Sequence, residues 1–247
     1  MIRRGWLVGA LLAVAGAAAL AVSELKQPSE DGGEARQASA RPTLALLTSL
    51  PLVFGERFGL SSGGSAALRR LEQYYTVQPI GVADAINLTG HQLLLMAHPR
   101  AQPAEALVDL DRWVRGGGRL MLLADPRLDW HSDRPLGDRL RPPPAFADTG
   151  LLKHWGLELN GPQPVGPASV GIGSMRILAA SPGRFTSRGE CQLAGSGFVA
   201  RCRIGKGAVT LIADADFLNV EGEGALDGPT EQNLDLLAAE LARLGSL

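Results

Sequence analysis

The chain lacks several features that would assign it a chemistry directly. Its 24 basic and 25 acidic residues leave a net charge of −1, which removes any bulk electrostatic case for nucleic acid. Aromatic residues make up only 5% and cysteines number 2. No cysteine follows the N-terminal apolar run, which excludes lipoprotein processing. "GLSSGGS" (Gly59–Ser65) lies between a strand and a helix start but has no lysine, so it is no Walker loop. "RGGGR" around Gly116–Gly118 follows a helix and precedes a strand, the reverse of a phosphate cradle, and reads as helix termination. "MAHPRA" puts His98-Pro99 where a nucleophile elbow would need Ser or Cys at a Gly-flanked bend.

What is present begins with "MIRRGWLVGALLAVAGAAALAVS". Arg3 and Arg4 precede an uncharged run from Gly5 to Ser23. As a helix that run is about 28 Å long, near the thickness of a bilayer's hydrocarbon core. The arginines favour a cytoplasmic N-terminus, so the main domain is expected in the periplasm of a bacterial cell, on a single-pass inner-membrane anchor. Cleavage as a signal peptide after Ala21-Val22-Ser23 is the competing reading, and it leaves the main domain in the same compartment. Residues 24–42 are polar, lack large apolar side chains and read as a flexible tether. Residues 43–247 are expected to form one domain.

In that domain, "TLALLTS", "HQLLLMAH" and "RLMLLAD" are short runs apolar on both faces, the mark of buried parallel strands. "TVQPI" reads as an edge strand because Pro79 would be costly in a central one. "SAALRRLEQYY" and "PAEALVDLDRWVRGGG" between them read as helices, with Leu68, Leu71 and Tyr75 on one face of the first. The expected class is α/β, a mostly parallel sheet with helices on both faces. The C-terminal part is β-rich ("MRILAAS", "ECQLA", "GFVARCRI", "GAVTLIADAD"), and "PTEQNLDLLAAELARLG" closes the chain as an amphipathic helix. Residues 126–147 hold five prolines and four arginines with little apolar content, a long loop of the kind that is functional or mobile. Cys191 and Cys202 flank a turn at Ser196-Gly197 that would set them opposite each other; a disulfide and two buried thiols both fit.

Ligand crevices in open parallel sheets lie outside the carboxyl ends of the strands. The candidates there are Ser49 after the first strand, Glu56 in the loop beyond it, His98 after the third, Asp125 after the fourth, and Asp214 and Asp216 after the last. "DWHSD" (Asp129, His131, Asp133) holds metal-ligand residue types, but alternating residues in a loop seldom close a site alone. No cofactor or resident metal is expected.

Three segments, "LALLTSLPLVFGE", "LVDLDRWVRGGGRLMLLADP" and "GKGAVTLIADADFLNVEG…NLDLLAAELARL", resemble the exported domain of gliding-motility-type ABC-transporter auxiliary proteins. The resemblance rests on a helix-Gly-Gly-strand-Asp-Pro unit and a strand ending in Asp-Ala-Asp-Phe. It implies a flavodoxin-like fold similar to class I glutamine amidotransferases, without their Cys-His-Glu machinery. It also implies a non-enzymatic accessory or ligand-binding role beside an ABC-type permease and ATPase or other envelope proteins. Many relatives carry a second transmembrane segment near the C-terminus. Here Glu231, Asp235, Glu240 and Arg243 make the last helix unfit to span. The alternative is a hydrolase, with or without a metal, using His98, His131, Asp125 and Asp214.

Overall fold

Residues 41–55, 64–222 and 224–247 are described by a computed structural model. The expected anchor, most of the tether, Glu56 and most of the Gly59–Ser65 loop lie outside the described residues. Among the described residues no helix is long and apolar enough to cross a membrane.

The chain runs β1 (Thr43–Thr48), α1 (Ala66–Glu72), β2 (Thr76–Pro79), α2 (Ala85–Leu88), β3 (Leu93–Ala97), α3 (Ala104–Arg115) and β4 (Arg119–Leu123). After the long loop come α4 (Leu151–His154), β5 (Leu157–Asn160), β6 (Ala168–Ile172), β7 (Met175–Ala179), β8 (Arg184–Ser187), β9 (Gln192–Ala194), β10 (Val199–Ile204), β11 (Gly207–Ile212) and α5 (Asn233–Gly245). One seven-stranded sheet has the order β2-β1-β3-β4-β11-β10-β9. Its first five strands are parallel; β10 runs antiparallel to β11, and β9 antiparallel to β10. Two antiparallel pairs, β5-β8 and β6-β7, stand apart from it. The architecture is therefore mixed α/β around a mostly parallel sheet.

Strand alternation sends successive residues to opposite faces. Leu44 and Leu46 of β1 meet Leu71 of α1 and Leu237 and Leu241 of α5 on one face. Ala45 and Leu47 meet Leu88 of α2, Leu110 and Val114 of α3, and Trp155 on the other. Both faces are covered, so β3 is buried along its whole length and reads as an unbroken apolar run. Pro79 falls on β2, the sheet edge, where its missing N–H disturbs no inner ladder.

Local caps fix where the helices begin. Ser65 Oγ accepts from the Leu68 amide at 3.1 Å to open α1, and Asp84 accepts from the Asn87 amide at 2.9 Å to open α2. The turn after α3 is closed by contact. A Cβ at Gly207 would lie 2.1 Å from the Val114 carbonyl oxygen, so only glycine lets β11 start beside the end of α3. The last helix starts at Asn233 rather than Pro229. The buried Asn233 side chain donates to the Leu178 and Phe217 carbonyls, both at 2.8 Å, and this holds the helix start against β7. The segments α2, β6 and β8 are not evident in the sequence. They are short, and Ser169 and Gly171 in β6 and Thr186 and Ser187 in β8 leave no apolar run to read.

The β9-β10 hairpin pairs Ala194 with Val199 and Gln192 with Arg201, which puts Cys191 opposite Cys202. Their sulfurs are bonded at 2.04 Å. The tight connection uses Ser196 (φ 55°) and Gly197 (φ 91°), both left-handed.

Candidate functional site

The parallel strands deliver their carboxyl ends to one edge of the sheet. There the loop of residues 126–147 is drawn across β3. The Phe146 amide donates to the Asp125 carbonyl at 2.6 Å, and the Leu128 amide donates to the Pro144 carbonyl at 2.9 Å. Arg100 donates to the Arg141 carbonyl at 2.5 Å. The expectation of a long irregular loop holds in its conformation: it has neither helix nor strand, yet it is anchored at both ends.

His98 is wholly buried at the tip of β3, and its backbone is left-handed at φ 47°. Its Nε2 lies 2.8 Å from the Pro143 carbonyl oxygen. A carbonyl only accepts, so Nε2 carries the proton and Nδ1 is left as a bare lone pair with no partner. Burial lowers the pKa of the ring, partly offset by the Pro143 contact, so the imidazole is neutral. Ser49 Oγ donates to the His98 carbonyl and Thr48 Oγ1 to the Ala97 carbonyl at 2.9 Å. Both hydroxyls thus tie the loop after β1 to the end of β3.

Asp125, Asp214 and Asp216 converge beneath this edge. Each contributes an oxygen to a cluster whose atoms lie within 4.8 Å of one another, and all three residues are buried. Asp125 accepts the Arg127 and Ala215 amides at 2.8 and 2.7 Å. Asp216 accepts the Asp129 amide at 2.8 Å, and Asp214 accepts the Phe217 amide at 2.7 Å. The second oxygen of Asp214 is buried without a well-formed hydrogen bond, although the Ala180 amide faces the carboxylate. Burial, and then repulsion from its neighbours, raises each carboxyl: Asp125 to about 6, Asp216 to about 8, and Asp214 well above the usual range. Three negative charges cannot share so dry a space, so at neutral pH the cluster holds protons. A hard cation would suit the oxygen spacing, but four of the six oxygens already serve backbone amides, and the group is shut from solvent.

The open feature of the edge lies elsewhere. A cavity of about 510 Å³ sits over the ends of β1, β2 and β3. Among the described residues its lining is hydrocarbon from Leu46, Leu50, Val53, Ile80 and Leu140, the two hydroxyls above, and Arg100, Arg134 and Arg139. No described carboxylate, imidazole or thiol lines it. β1 lies between β2 and β3, with α1 on one face of the sheet and α3 on the other. The chain reverses direction across the sheet at that point, which is where open α/β sheets leave a crevice.

Of the residues singled out from the sequence, Ser49 lines the cavity. His98, Asp125, Asp214 and Asp216 lie behind it in the interior, and Glu56 falls outside the described residues. His131 and Asp133 pair with each other at 3.2 Å in the exposed loop, while Asp129 turns to Ser181 and Arg127, so "DWHSD" gathers no ligand set of its own. Sequence reading missed the three arginines. For Arg134 and Arg139 the one signal was the density of arginine in a long loop next to a strand tip; Arg100, in the turn after β3, had none.

No family model and no curated protein matches the chain. Among solved structures, the mmIFT52 N-terminal domain is 13% identical with a TM-score of 0.53, over 82% of this chain and 96% of that one. Protein STM3548 of Salmonella typhimurium is 9% identical with a TM-score of 0.52, over 82% and 98%. A β-galactosidase from Bacillus circulans sp. alkalophilus is 12% identical with a TM-score of 0.50, over 83% and 31%. The chain spans about a third of the length of the glycosidases it matches. At these identities the likeness is one of fold alone.

Proposed function

We propose that the domain is a non-enzymatic ligand-binding module, and that its site is the cavity over β1, β2 and β3. One observation carries this reading. Among the described residues the open cavity holds cations, tied hydroxyls and hydrocarbon, while His98, Asp125, Asp214 and Asp216, the strand-tip groups suited to acid–base work, are buried outside it. Hydrolysis needs a nucleophile and a base that both reach substrate. The hydrolase alternative, with or without a metal, draws on His98 and the aspartate cluster, whose burial and backbone hydrogen bonds favour a structural role.

The order β2-β1-β3-β4-β11 follows the flavodoxin-like pattern, which supports the finer reading of an amidotransferase-like domain. A left-handed residue at the tip of β3 is the place where such a fold would present its nucleophile, and here that place holds a buried histidine. On this reading the chain is an anchored, periplasmic accessory subunit of an ABC-type transport or envelope system. The Cys191–Cys202 bond supports an oxidising compartment.

The test is cross-linking of the full chain in inner-membrane vesicles, followed by purification. A permease and ATPase recovered with the wild type support the accessory role. A purified chain that turns over ester or phosphoester substrates, with loss of activity in His98→Asn, overturns the non-enzymatic reading.

A further inference from the structure

The cavity's composition also specifies what it takes, given the binding reading above on which this inference rests. Its floor and walls are hydrocarbon, and Phe54 (75% exposed) and Leu140 (61% exposed) stand at its margin. Water solvates such a surface poorly, and contiguous exposed apolar groups of this kind mark binding sites. Arg100 and Arg139 line this cavity and also a second one of about 370 Å³, which Leu128, Trp130 and Leu136 line with them. The two arginines therefore form the seam between this apolar cavity and a second hollow of mixed character, which Ser132, Asp138 and Arg141 also line. Arg100 spends one N–H on a backbone carbonyl, which leaves its charge uncompensated, and neither arginine forms an ion pair among the described residues. Arg134, the third cation of the lining, has Asp138 at 3.9 Å.

A small polar anion would satisfy the arginines and leave the apolar floor wet. A neutral hydrocarbon would cover the floor and strip water from two unpaired guanidinium groups, which is costly. One molecule meets both demands when it carries a hydrocarbon chain and an anionic head. Guanidinium forks match carboxylate and phosphate oxygens equally well. The volume of about 510 Å³ suits a small organic ligand. We infer that the cavity over β1, β2 and β3 binds a single-chain anionic amphiphile, with its head at Arg100 and Arg139 and its chain along Val53 and Ile80.

The test uses the full chain in nanodiscs of zwitterionic lipid, photolabelled with a diazirine analogue of dodecanoate and mapped by peptide mass spectrometry. Adducts are expected in the segments 46–55 and 79–80 and at Leu140. Dodecanoate and dodecyl phosphate should compete, and their relative strength identifies the preferred head, whereas dodecyltrimethylammonium should not. Arg100→Gln with Arg139→Gln should weaken competition about tenfold or more. Ile80→Trp, which fills the cavity from the sheet edge and keeps every arginine, should cut labelling while the melting temperature holds. Equal competition by the cationic amphiphile, or undiminished labelling in both variants, overturns the inference. Inorganic phosphate that protects the arginines from phenylglyoxal, with no dodecanoate adduct formed, overturns the lipid assignment and leaves the binding reading standing. Absence of adduct and of protection by any anion removes both.

Discussion

The buried aspartates give a stability that depends on pH in a direction opposite to that of ordinary surface carboxylates. Asp216 is raised to about 8 in the fold, against about 3.9 in an unfolded chain. Between those values the folded protein holds a proton that the unfolded chain releases. Stability therefore falls as pH rises, by about 1.4 kcal/mol per pH unit for one such proton. From pH 6 to pH 8 Asp216 alone should cost about 2 kcal/mol, with the slope flattening near 8. Asp214 acts in the same direction, and Asp125, raised to about 6, has made its contribution by pH 6. His98 acts the other way, because its lowered pKa costs stability as pH drops below its unfolded value. Asp216→Asn separates these effects. Its amide oxygen can still accept from the Asp129 amide, while the proton is gone. Urea unfolding of wild type and variant, followed by tryptophan fluorescence at pH 6, 7 and 8, gives the difference free of titrations common to both. The variant should gain on the wild type by about 2 kcal/mol across the range, or about 4–8 °C in melting temperature for a domain of this size. A gap between the two that does not change with pH would refute the reasoning.

Other perturbations test the frame around the site. Gly207→Ala drives a methyl into the Val114 and Gly118 carbonyls and should lower stability by about 2–3 kcal/mol in the same urea assay. Glu240→Ala removes the buried bidentate partner of Arg201 and should cost about 3 kcal/mol; Arg201→Ala with Glu240→Ala should cost less than the sum of the two single changes. Reducing the Cys191–Cys202 bond, or replacing both cysteines with serine, should cost about 2–3 kcal/mol for a loop this short, measured as a shift in the urea midpoint. In whole cells both thiols should resist maleimide until a reductant is added.

Legibility in the sequence followed burial pattern. The central strands β1, β3, β4 and β11 were plain because burial on both faces forces unbroken apolar runs, and the edge position of β2 followed from Pro79. The hairpin register followed from the spacing of Cys191 and Cys202 about Ser196-Gly197. The helix α5 was legible as amphipathic, but Glu240 reads as part of its wet face and is in fact buried against Arg201, a pairing of residues 39 apart that no local pattern reveals. At the candidate site, the strand-tip rule found Ser49, His98 and the aspartates but could not tell which of them face solvent. That depends on how residues 126–147 fold over β3, and this loop is held by backbone contacts at Pro143, Pro144 and Phe146 that have no side-chain signature. Arg100 and Arg139 come from separate loops, and only the closed fold brings them to one seam.

The most direct test of binding without chemistry is mass spectrometry of what the cavity retains. The full chain, purified from membranes in nanodiscs and incubated with an anionic single-chain amphiphile, should hold one molecule, return it chemically unchanged, and lose it when Arg100→Gln is combined with Arg139→Gln. Recovery of a converted product, or equal retention by the double variant, would contradict the account.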